Sequence, residues 1–466
     1  MKKQLKDKIM MRVKNIHFIG IGGSGMSGIA SILNDLGYIV SGSDINSSKN
    51  TENLIRNGIK VTIGHNKDNI LLKDVIVISS AIDKNNAEYL YARKLNIPII
   101  KRAEMLAELM RFTYGVAIAG THGKTTTTSL LSHILYEASY DPTYIIGGKI
   151  INTGNATLGS SDYLIAEADE SDSSFLHLQP LMSVITNIDK DHLENHGHSF
   201  DKLKRNFIGF VNNLPFYGLC LLNVSDINTK SIIKKISRPI KTFGIEVNAD
   251  YEARSLNLKS IPSTYSYTEN EKKYKIKLNM PGQHNVLNSL AALAVARELK
   301  VPIKIIQNAI ENFPGISRRF EILGNFTINK NQFTWIDDYG HHPTEMREVL
   351  DTIKNIWPNR RIVMVFQPHR YSRTSEYFNQ FVDVLKNLDY LILMDIYAAN
   401  EKPLDNISSE VIVSEVEKYN KNVVLINNEK NLINNIDKII MNDDIFLTMG
   451  AGSISHFVNI YKEHIS

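Results

Sequence analysis

Val116-Ala-Ile-Ala-Gly120-Thr-His-Gly123-Lys124-Thr-Thr-Thr-Thr-Ser-Leu130 is the stretch whose reading decides the fold. Val116 to Ala119 is a short apolar run of buried-strand type, and Gly120 and Gly123 permit a tight turn. The spacing of Leu130, Leu131, Ile134 and Leu135 predicts a helix from Thr125 to Ala138. A strand, a glycine turn and a helix start aim backbone N–H groups and the positive end of a helix dipole at one spot, which suits a phosphate. Lys124 adds a point charge able to follow β- and γ-phosphates, and the Thr125 hydroxyl stands where a nucleotide-bound Mg²⁺ takes an oxygen ligand. The longer phosphate-loop pattern has glycine where this chain has Ile118, so the match is to the short Gly-x-x-Gly-Lys-Thr form. Gly120, Thr121, His122, Gly123, Lys124, Thr125 and Thr126 are therefore the candidate nucleotide ligands.

Working outward, 466 residues are too many for one ordinary core, so two to four domains are expected. A net charge of +4 with no long Lys/Arg block gives no electrostatic case for nucleic acid or membrane partners. The single cysteine, Cys220, excludes an internal disulfide framework and a multi-cysteine metal site, and its apolar neighbours read as a buried strand. The charged N-terminus has no apolar segment after it and no run reaches transmembrane length, so a cytoplasmic protein is expected.

Upstream, strand Ile16 to Ile19 is followed by Gly20-Ile-Gly22-Gly23-Ser24-Gly25-Met26 and a helix, a dinucleotide-type glycine fingerprint in its proper context. Asp44 ends the next apolar run, where a ribose contact belongs. This turn suits a nicotinamide dinucleotide, and a nucleotide-sugar diphosphate equally, because any pyrophosphate fits a glycine turn at a helix N-terminus. Strand-like runs at Val75 to Ser79 and Ile97 to Ile100 complete a parallel α/β unit, with His65, Ser79 and Ser80 in the turns after strands.

Downstream, two strands end in acids and a histidine: Tyr163 to Glu167, followed by Ala-Asp-Glu-Ser-Asp, and Ser183 onward, reaching Asp191-His192. Parallel strands bring their C-terminal ends to one edge, so Glu167 and His192 are placed to reach a metal at Thr125. Asp169, Asp172, His196 and His198 read as solvated loop residues, and an oxygen-preferring Mg²⁺ site argues against a zinc cluster of histidines. The segment Ser260 to Lys273 reads as a loop or hairpin insertion. Asn285 and Asn288 open an Ala/Leu helix, as caps or as ligands of an adenine or ribose. After a hinge-like Pro314-Gly-Ile-Ser-Arg-Arg-Phe, strands at Phe333 to Asp337, Arg361 to Phe366, Tyr390 to Met394, Val423 to Ile426 and Asp444 to Met449 form a third α/β unit.

Five motifs occur in order: Gly20-Ile-Gly-Gly-Ser-Gly-Met-Ser-Gly, Gly120-Thr-His-Gly-Lys-Thr-Thr, Glu167-Ala-Asp-Glu-Ser-Asp-Ser-Ser-Phe, His284-Asn-Val-Leu-Asn and Asp338-Tyr-Gly-His-His-Pro-Thr-Glu. Together they closely resemble the Mur ligase family over nearly the whole chain, from about Val13. The resemblance implies an α/β protein of three domains: a Rossmann-like UDP-sugar domain over 12–112, a P-loop ATPase-like mixed sheet binding ATP over 113–316, and a Rossmann-like amino-acid domain over 317–466. It implies an enzyme of peptidoglycan synthesis that uses ATP and Mg²⁺ to add L-alanine to the lactyl carboxylate of UDP-N-acetylmuramate through an acyl phosphate, acting as a monomer or weak homodimer.

By the same resemblance, Gly20, Gly22, Gly23, Ser24, Gly25, Met26, Asp44, His65, Ser79 and Ser80 hold the UDP-sugar, and Asn285, Asn288 and Arg319, with Arg318 beside it, approach ATP. Lys124, His192, His341, Arg370 and Arg373 are catalytic, with metal held by Thr125, Glu167 and His192. The chain departs from the family at the bridging lysine of related ligases, near which stands Phe207, and at Ser453 and Asn400. Two other functions compete: a ligase that attaches a preformed peptide to the same UDP-sugar, and a nicotinamide oxidoreductase, which leaves Lys124, Thr125 and Glu167 without a use. A non-catalytic UDP-sugar-binding module would leave them equally unused.

Overall fold

The computed structural model describes Met10 and residues 12–79, 81–151, 154–399, 401–426 and 429–465. Short, β-branched, apolar runs build the first sheet: β1 (Asn15–Ile19), β2 (Ile39–Asp44), β3 (Lys60–Ile63), β4 (Val75–Ile78) and β5 (Ile99–Lys101). Their order is β3-β2-β1-β4-β5, all parallel. The strand order reverses between β1 and β4, so the loops after these two strands diverge and leave a crevice at the C-terminal edge. Ile16, Phe18, Val40, Val75 and Val77 of the sheet form one core with Ile29 and Leu33 of the helix Ser24–Asp35. The edge strand β3 has no counterpart in the sequence reading, because its four residues are exposed or half-buried and lack an apolar face. Ile97 and Ser79 fall just outside the strands expected to contain them.

One buried acid stands out in this first sheet. Glu88, in the helix Ala87–Lys94, is fully buried and accepts hydrogen bonds from Ser43 Oγ (2.6 Å), Asn69 Nδ2 (2.6 Å) and the Asn66 N–H (3.1 Å), with His17 Nε2 at 3.4 Å. Burial pushes its carboxyl up, but the hydrogen bonds from His17, Ser43 and Asn69 outweigh it and bring the pKa down to about 2. A group depressed in the folded state lends stability above its unfolded value and loses it as the pH falls toward the folded value.

The second sheet has ten strands: β6 (Tyr114–Ala119), β7 (Thr143–Ile150), β8 (Gly154–Thr157), β9 (Tyr163–Glu167), β10 (Met182–Ile185), β11 (Leu219–Asn223), β12 (Ile240–Ile245), β13 (Tyr251–Asn257), β14 (Ser263–Glu269) and β15 (Lys272–Leu278). The order is β15-β14-β13-β12-β11-β10-β6-β9-β7-β8. β6 lies between β9 and β10, parallel to both, and β7–β8 is an antiparallel edge pair, so the sheet is mixed. β14 and β15 resolve the expected loop-or-hairpin insertion into neighbouring strands. Cys220 is buried in β11, where burial pushes its thiol up to about 12, which suits the inert role read from its neighbours. Phe207 packs edge-on against Phe175 in the core.

The third sheet runs β16-β17-β21-β18-β19-β20, from β16 (Glu321–Ile328), β17 (Asn331–Asp338), β18 (Ile362–Phe366), β19 (Tyr390–Leu393), β20 (Val423–Leu425) and β21 (Asp444–Met449). It is parallel except for β16, an antiparallel edge strand absent from the sequence reading. Its alternating exposure gives it too weak an apolar signal. The chain falls into two compact units: one comprises the residues up to Leu256 with Thr264–Asn279 and His284–Pro314, the other Asn257–Ser263, Met280–Gln283 and Gly315–Ser466. The first two sheets thus share a unit. Among the described residues no helix is long and apolar enough to cross a membrane.

Replacing Glu88 by Gln should lower the stability of the first unit by about 2–3 kcal/mol at pH 7. Wild-type stability should fall as the pH is taken from about 4.5 toward 2, and the variant should lose that dependence. Thermal melts across the acid range read both outcomes.

Candidate active site

Parallel pairing of β6 with β9 and β10 puts Ala119, Glu167 and Ile185 at one edge of the second sheet, as the strand reading required. The loop between β6 and the helix Lys124–Glu137 crosses that edge. Gly120 has φ +138° and Gly123 φ +83°, in the region that favours glycine. A Cβ on Gly120 would collide with Thr186 Oγ1, and one on Gly123 with Asn288 Oδ1, so the loop backbone is held close with nothing projecting from it.

The loop is tied down along its length. The His122 N–H donates to Asn187 Oδ1 (2.9 Å), and the His122 carbonyl accepts from Thr186 Oγ1 (2.6 Å) and Asn187 Nδ2 (2.9 Å). The Asp189 N–H donates to Thr121 Oγ1 (2.8 Å), and His122 Nε2 lies 3.4 Å from Asp189 Oδ2. Such bracing fixes the cradle before any ligand arrives.

Lys124 Nζ donates to the carbonyls of Gly120 (2.6 Å) and Thr121 (3.2 Å) and to both oxygens of Glu170 (3.0 and 2.8 Å). Burial would lower the Lys124 pKa, but Glu170, Asp169 and Glu167 outweigh it, so the ammonium is held above its ordinary range. Burial, with Asp169 beside it, pushes the Glu170 carboxyl above its ordinary range against the pull of Lys124; the two-point contact at 2.8–3.0 Å is that of an ammonium–carboxylate pair. Glu170, buried at the turn after β9 and paired with Lys124, is the candidate that sequence reading missed. A buried lysine needs a carboxylate, and that requirement was the available signal.

Asp169 keeps the solvent exposure expected of a loop acid but is not free: its Oδ2 lies 3.4 Å from Arg102 Nη2, and although burial raises its pKa, Lys124 and Arg102 together bring it below the ordinary value. His196 corrects the expectation of a solvated loop residue. It is fully buried, with Nδ1 3.1 Å from Asn206 Nδ2. Glu167 Oε1 accepts from the Gly147 N–H (2.7 Å), and Thr125 and Thr126 are both buried in the first turn of the helix. Asn288 Oδ1 accepts from Thr127 Oγ1 (3.3 Å) and its Nδ2 donates to Asn285 Oδ1 (3.2 Å), so this asparagine pair buttresses the phosphate loop and its helix. His192 sits on the loop after β10 at φ +55°, with Nε2 3.5 Å from Asp191 Oδ2.

The first glycine turn occupies the crevice of the first sheet. A Cβ on Gly20 would lie 3.2 Å from Ser79 Cβ, which sets the two loops side by side. The Gly22 N–H donates to Asp44 Oδ2 (2.8 Å). His65 Nδ1 lies 2.9 Å from Ser43 Oγ, next to Asp44. Gly23 caps the helix Ser24–Asp35, which has no side-chain cap and no acid in its first turn. The Met26 side chain is buried in the core. Ser80 and Asn400 lie outside the described residues.

In the third sheet, the His341 and His369 rings, on the loops after β17 and β18, lie 5.6 Å apart. His369 stacks on Tyr397 and meets Arg373 Nη1 at 3.4 Å. Arg370 adopts φ +72°, its N–H bound to the Tyr397 carbonyl (2.8 Å). The Arg319 guanidinium lies over the Tyr339 ring at 5.1 Å, whereas Arg318 is committed to Asp337 (3.0 Å) and the Gly450 carbonyl (2.5 Å). Gln367 bonds Ser453 Oγ (2.9 Å) and the Ile454 N–H (2.9 Å), so the turn is intact with serine there.

Three family descriptions match successive parts of the chain: "Mur ligase family, catalytic domain" over residues 15–114, "Mur ligase middle domain" over 118–296, and "Mur ligase, glutamate ligase domain" over 318–452. The chain belongs to the Mur ligase family. Within the family it is similar to the UDP-N-acetylmuramate–L-alanine ligase of Vesicomyosocius okutanii, at 49% identity over 99% of both chains, and to that of Ruthia magnifica, at 47% over the same share. Among solved structures it resembles UDP-N-acetylmuramate–alanine ligase from Thermotoga maritima, with a TM-score of 0.82 and 30% identity over 97% of this chain and 99% of the other. A murein peptide ligase from Psychrobacter arcticus shares the fold, with a TM-score of 0.73 at 23% identity over 97% and 98%. As a Mur ligase the chain is an ATP-dependent ligase of three-domain α/β architecture, and the oxidoreductase alternative falls away.

The bare backbone at Gly123 gives a direct test. Gly123→Ala forces a strained φ, costing about 1–3 kcal/mol, and drives a methyl into Asn288. ATP affinity, read by calorimetry, should fall about tenfold or more, with UDP-sugar affinity little changed.

Proposed function

We propose that this chain joins L-alanine to the lactyl carboxylate of UDP-N-acetylmuramate, the first peptide step of peptidoglycan precursor synthesis. What carries the reading is end-to-end identity of nearly half with relatives named for that reaction, on a chain whose Lys124 is built into a braced phosphate loop. The cytoplasm is its expected place and a monomer or weak homodimer its expected form.

A carboxylate and an amine form a salt rather than an amide, so the carboxylate must first gain a leaving group. A lactyl oxygen attacks the γ-phosphorus of ATP, the bond to the bridging oxygen breaks, and ADP leaves. The alanine nitrogen then attacks the acyl carbon and gives up a proton, and the carbon–oxygen bond breaks to release phosphate. Both steps gather negative charge on phosphate oxygens, so fixed cations and N–H donors lower their barriers.

The residues present fit ATP and Mg²⁺. The loop at Gly120 and Gly123 is a cradle that a Cβ would fill, and Thr125 and Glu167 supply hard oxygen donors. Thr125, Glu167 and His192 would hold metal, which when bound screens the phosphate charge. Lys124, displaced from Glu170 by the β- and γ-phosphates, neutralises the transferring group. Asn285, Asn288 and Arg319 serve ATP. Gly20, Gly22, Gly23, Ser24, Gly25, Met26, Asp44, His65, Ser79 and Ser80 serve the UDP-sugar, with Met26 acting through its backbone. His341, Arg370 and Arg373 orient the amino acid and the acyl phosphate, an Arg fork matching a carboxylate in two-point fashion.

Phosphate release from Mg-ATP should require both UDP-N-acetylmuramate and L-alanine, and mass spectrometry should find a product heavier by one alanine residue. Release driven by a tripeptide instead of L-alanine would overturn the alanine assignment. Lys124→Ala should cut turnover by a factor on the order of 10²–10³ while UDP-sugar binding persists; unchanged turnover would remove Lys124 from the chemistry.

A further inference from the structure

We infer that Arg102 is a diphosphate ligand of the UDP-sugar site. The inference rests on the function proposed above and adds a residue that the glycine motif does not contain. Arg102 opens the helix Arg102–Met110, immediately after β5, and its side chain lies across the first turn of the glycine-rich helix. A Cβ on Gly25 would stand 3.1 Å from Arg102 Nη1, 3.2 Å from Cδ and 3.5 Å from Cζ. Glycine at 25 thus makes room for a guanidinium as well as for a close backbone.

That first turn wants an anion. It has no side-chain cap and no acidic residue, while Asp44 is already engaged by the Gly22 N–H. Arg102 brings a fixed positive charge to the same place and can offer a phosphate two parallel N–H donors. Among the described residues its guanidinium has one hydrogen-bonding side chain, Asp169 Oδ2 at 3.4 Å from Nη2, a long contact that leaves other N–H donors for a ligand. The side chain is about a quarter exposed, so it is held in place and still reachable.

Asp169 lies one residue before Glu170, the partner of Lys124, and its charge is felt at Lys124. Arg102 therefore sits between the glycine turn of the first sheet and the acids beside the phosphate loop of the second, two sheets of one compact unit. The Asn155 Nδ2 bond to the Ser24 carbonyl (3.1 Å) ties the same helix turn to the second sheet independently of Arg102.

Calorimetric affinities of UDP and of uridine for the wild type, Arg102→Met, Arg102→Lys and Asp169→Asn test the assignment. Arg102→Met should weaken UDP about tenfold or more and leave uridine within about twofold. Arg102→Lys should fall between, because it keeps the charge and loses the fork, and it carries the test should the methionine variant not fold. Asp169→Asn, which breaks the same link between the sheets, should retain UDP binding. UDP binding by Arg102→Met within twofold of wild type, or equal loss of UDP and uridine, would overturn the assignment and leave Arg102 a strut. A wild-type chain that fails to bind UDP would overturn the functional reading itself.

Discussion

A buried ammonium organises the second sheet. Lys124 is largely, not wholly, withdrawn from water at the phosphate loop, and its charge is met by two loop carbonyls and both oxygens of Glu170. An unpaired charge so placed would cost several kcal/mol, so the turn after β9 has to deliver a carboxylate. The parallel pairing of β9 with β6 puts that turn at the loop. The arrangement stores a cation for a triphosphate: in the proposed reaction ATP would replace one anionic partner by another, and the site need not create charge in a dry place. Asp169 and Glu167 keep the field around Lys124 negative, which keeps it protonated until phosphate arrives.

The first sheet solves a related problem in the opposite sense. Its glycine-rich helix begins with neither a side-chain cap nor an acid, an electropositive end suited to an anion. The two sites lie in one compact unit, and at Arg102 the charges of one reach the other. A diphosphate drawn to the first turn and a triphosphate drawn to Lys124 both compete with protein carboxylates for their cations. Asp169 faces both cations, Arg102 at 3.4 Å and Lys124 through its field.

Much of this was legible in the sequence because it rests on local rules. Glycine turns between an apolar strand and a helix declare themselves by residue type, and parallel strands must bring their ends to one edge, so Gly20–Met26, Gly120–Thr126 and Glu167 could be named in advance. What escaped depends on contacts between segments distant in sequence. Glu88 reads as an ordinary helical acid until Ser43 and Asn69 close around it. Glu170 is one of several acids in a polar run, and only burial against Lys124 separates it from its neighbours. His196 looked like a surface histidine because nothing near it in sequence reveals Asn206 across the fold. The edge strands β3 and β16 escaped for another reason: strands with one exposed side lack the continuous apolar run that marks β1 or β10.

The most direct test of the account follows the oxygen that the lactyl carboxylate gives up. UDP-N-acetylmuramate carrying ¹⁸O in that carboxylate, turned over with Mg-ATP and L-alanine, should release inorganic phosphate containing one labelled oxygen, because the attacking oxygen leaves bound to phosphorus. Label absent from phosphate, or found in AMP, would contradict transfer of the γ-phosphoryl group to the carboxylate and with it the role given to Lys124.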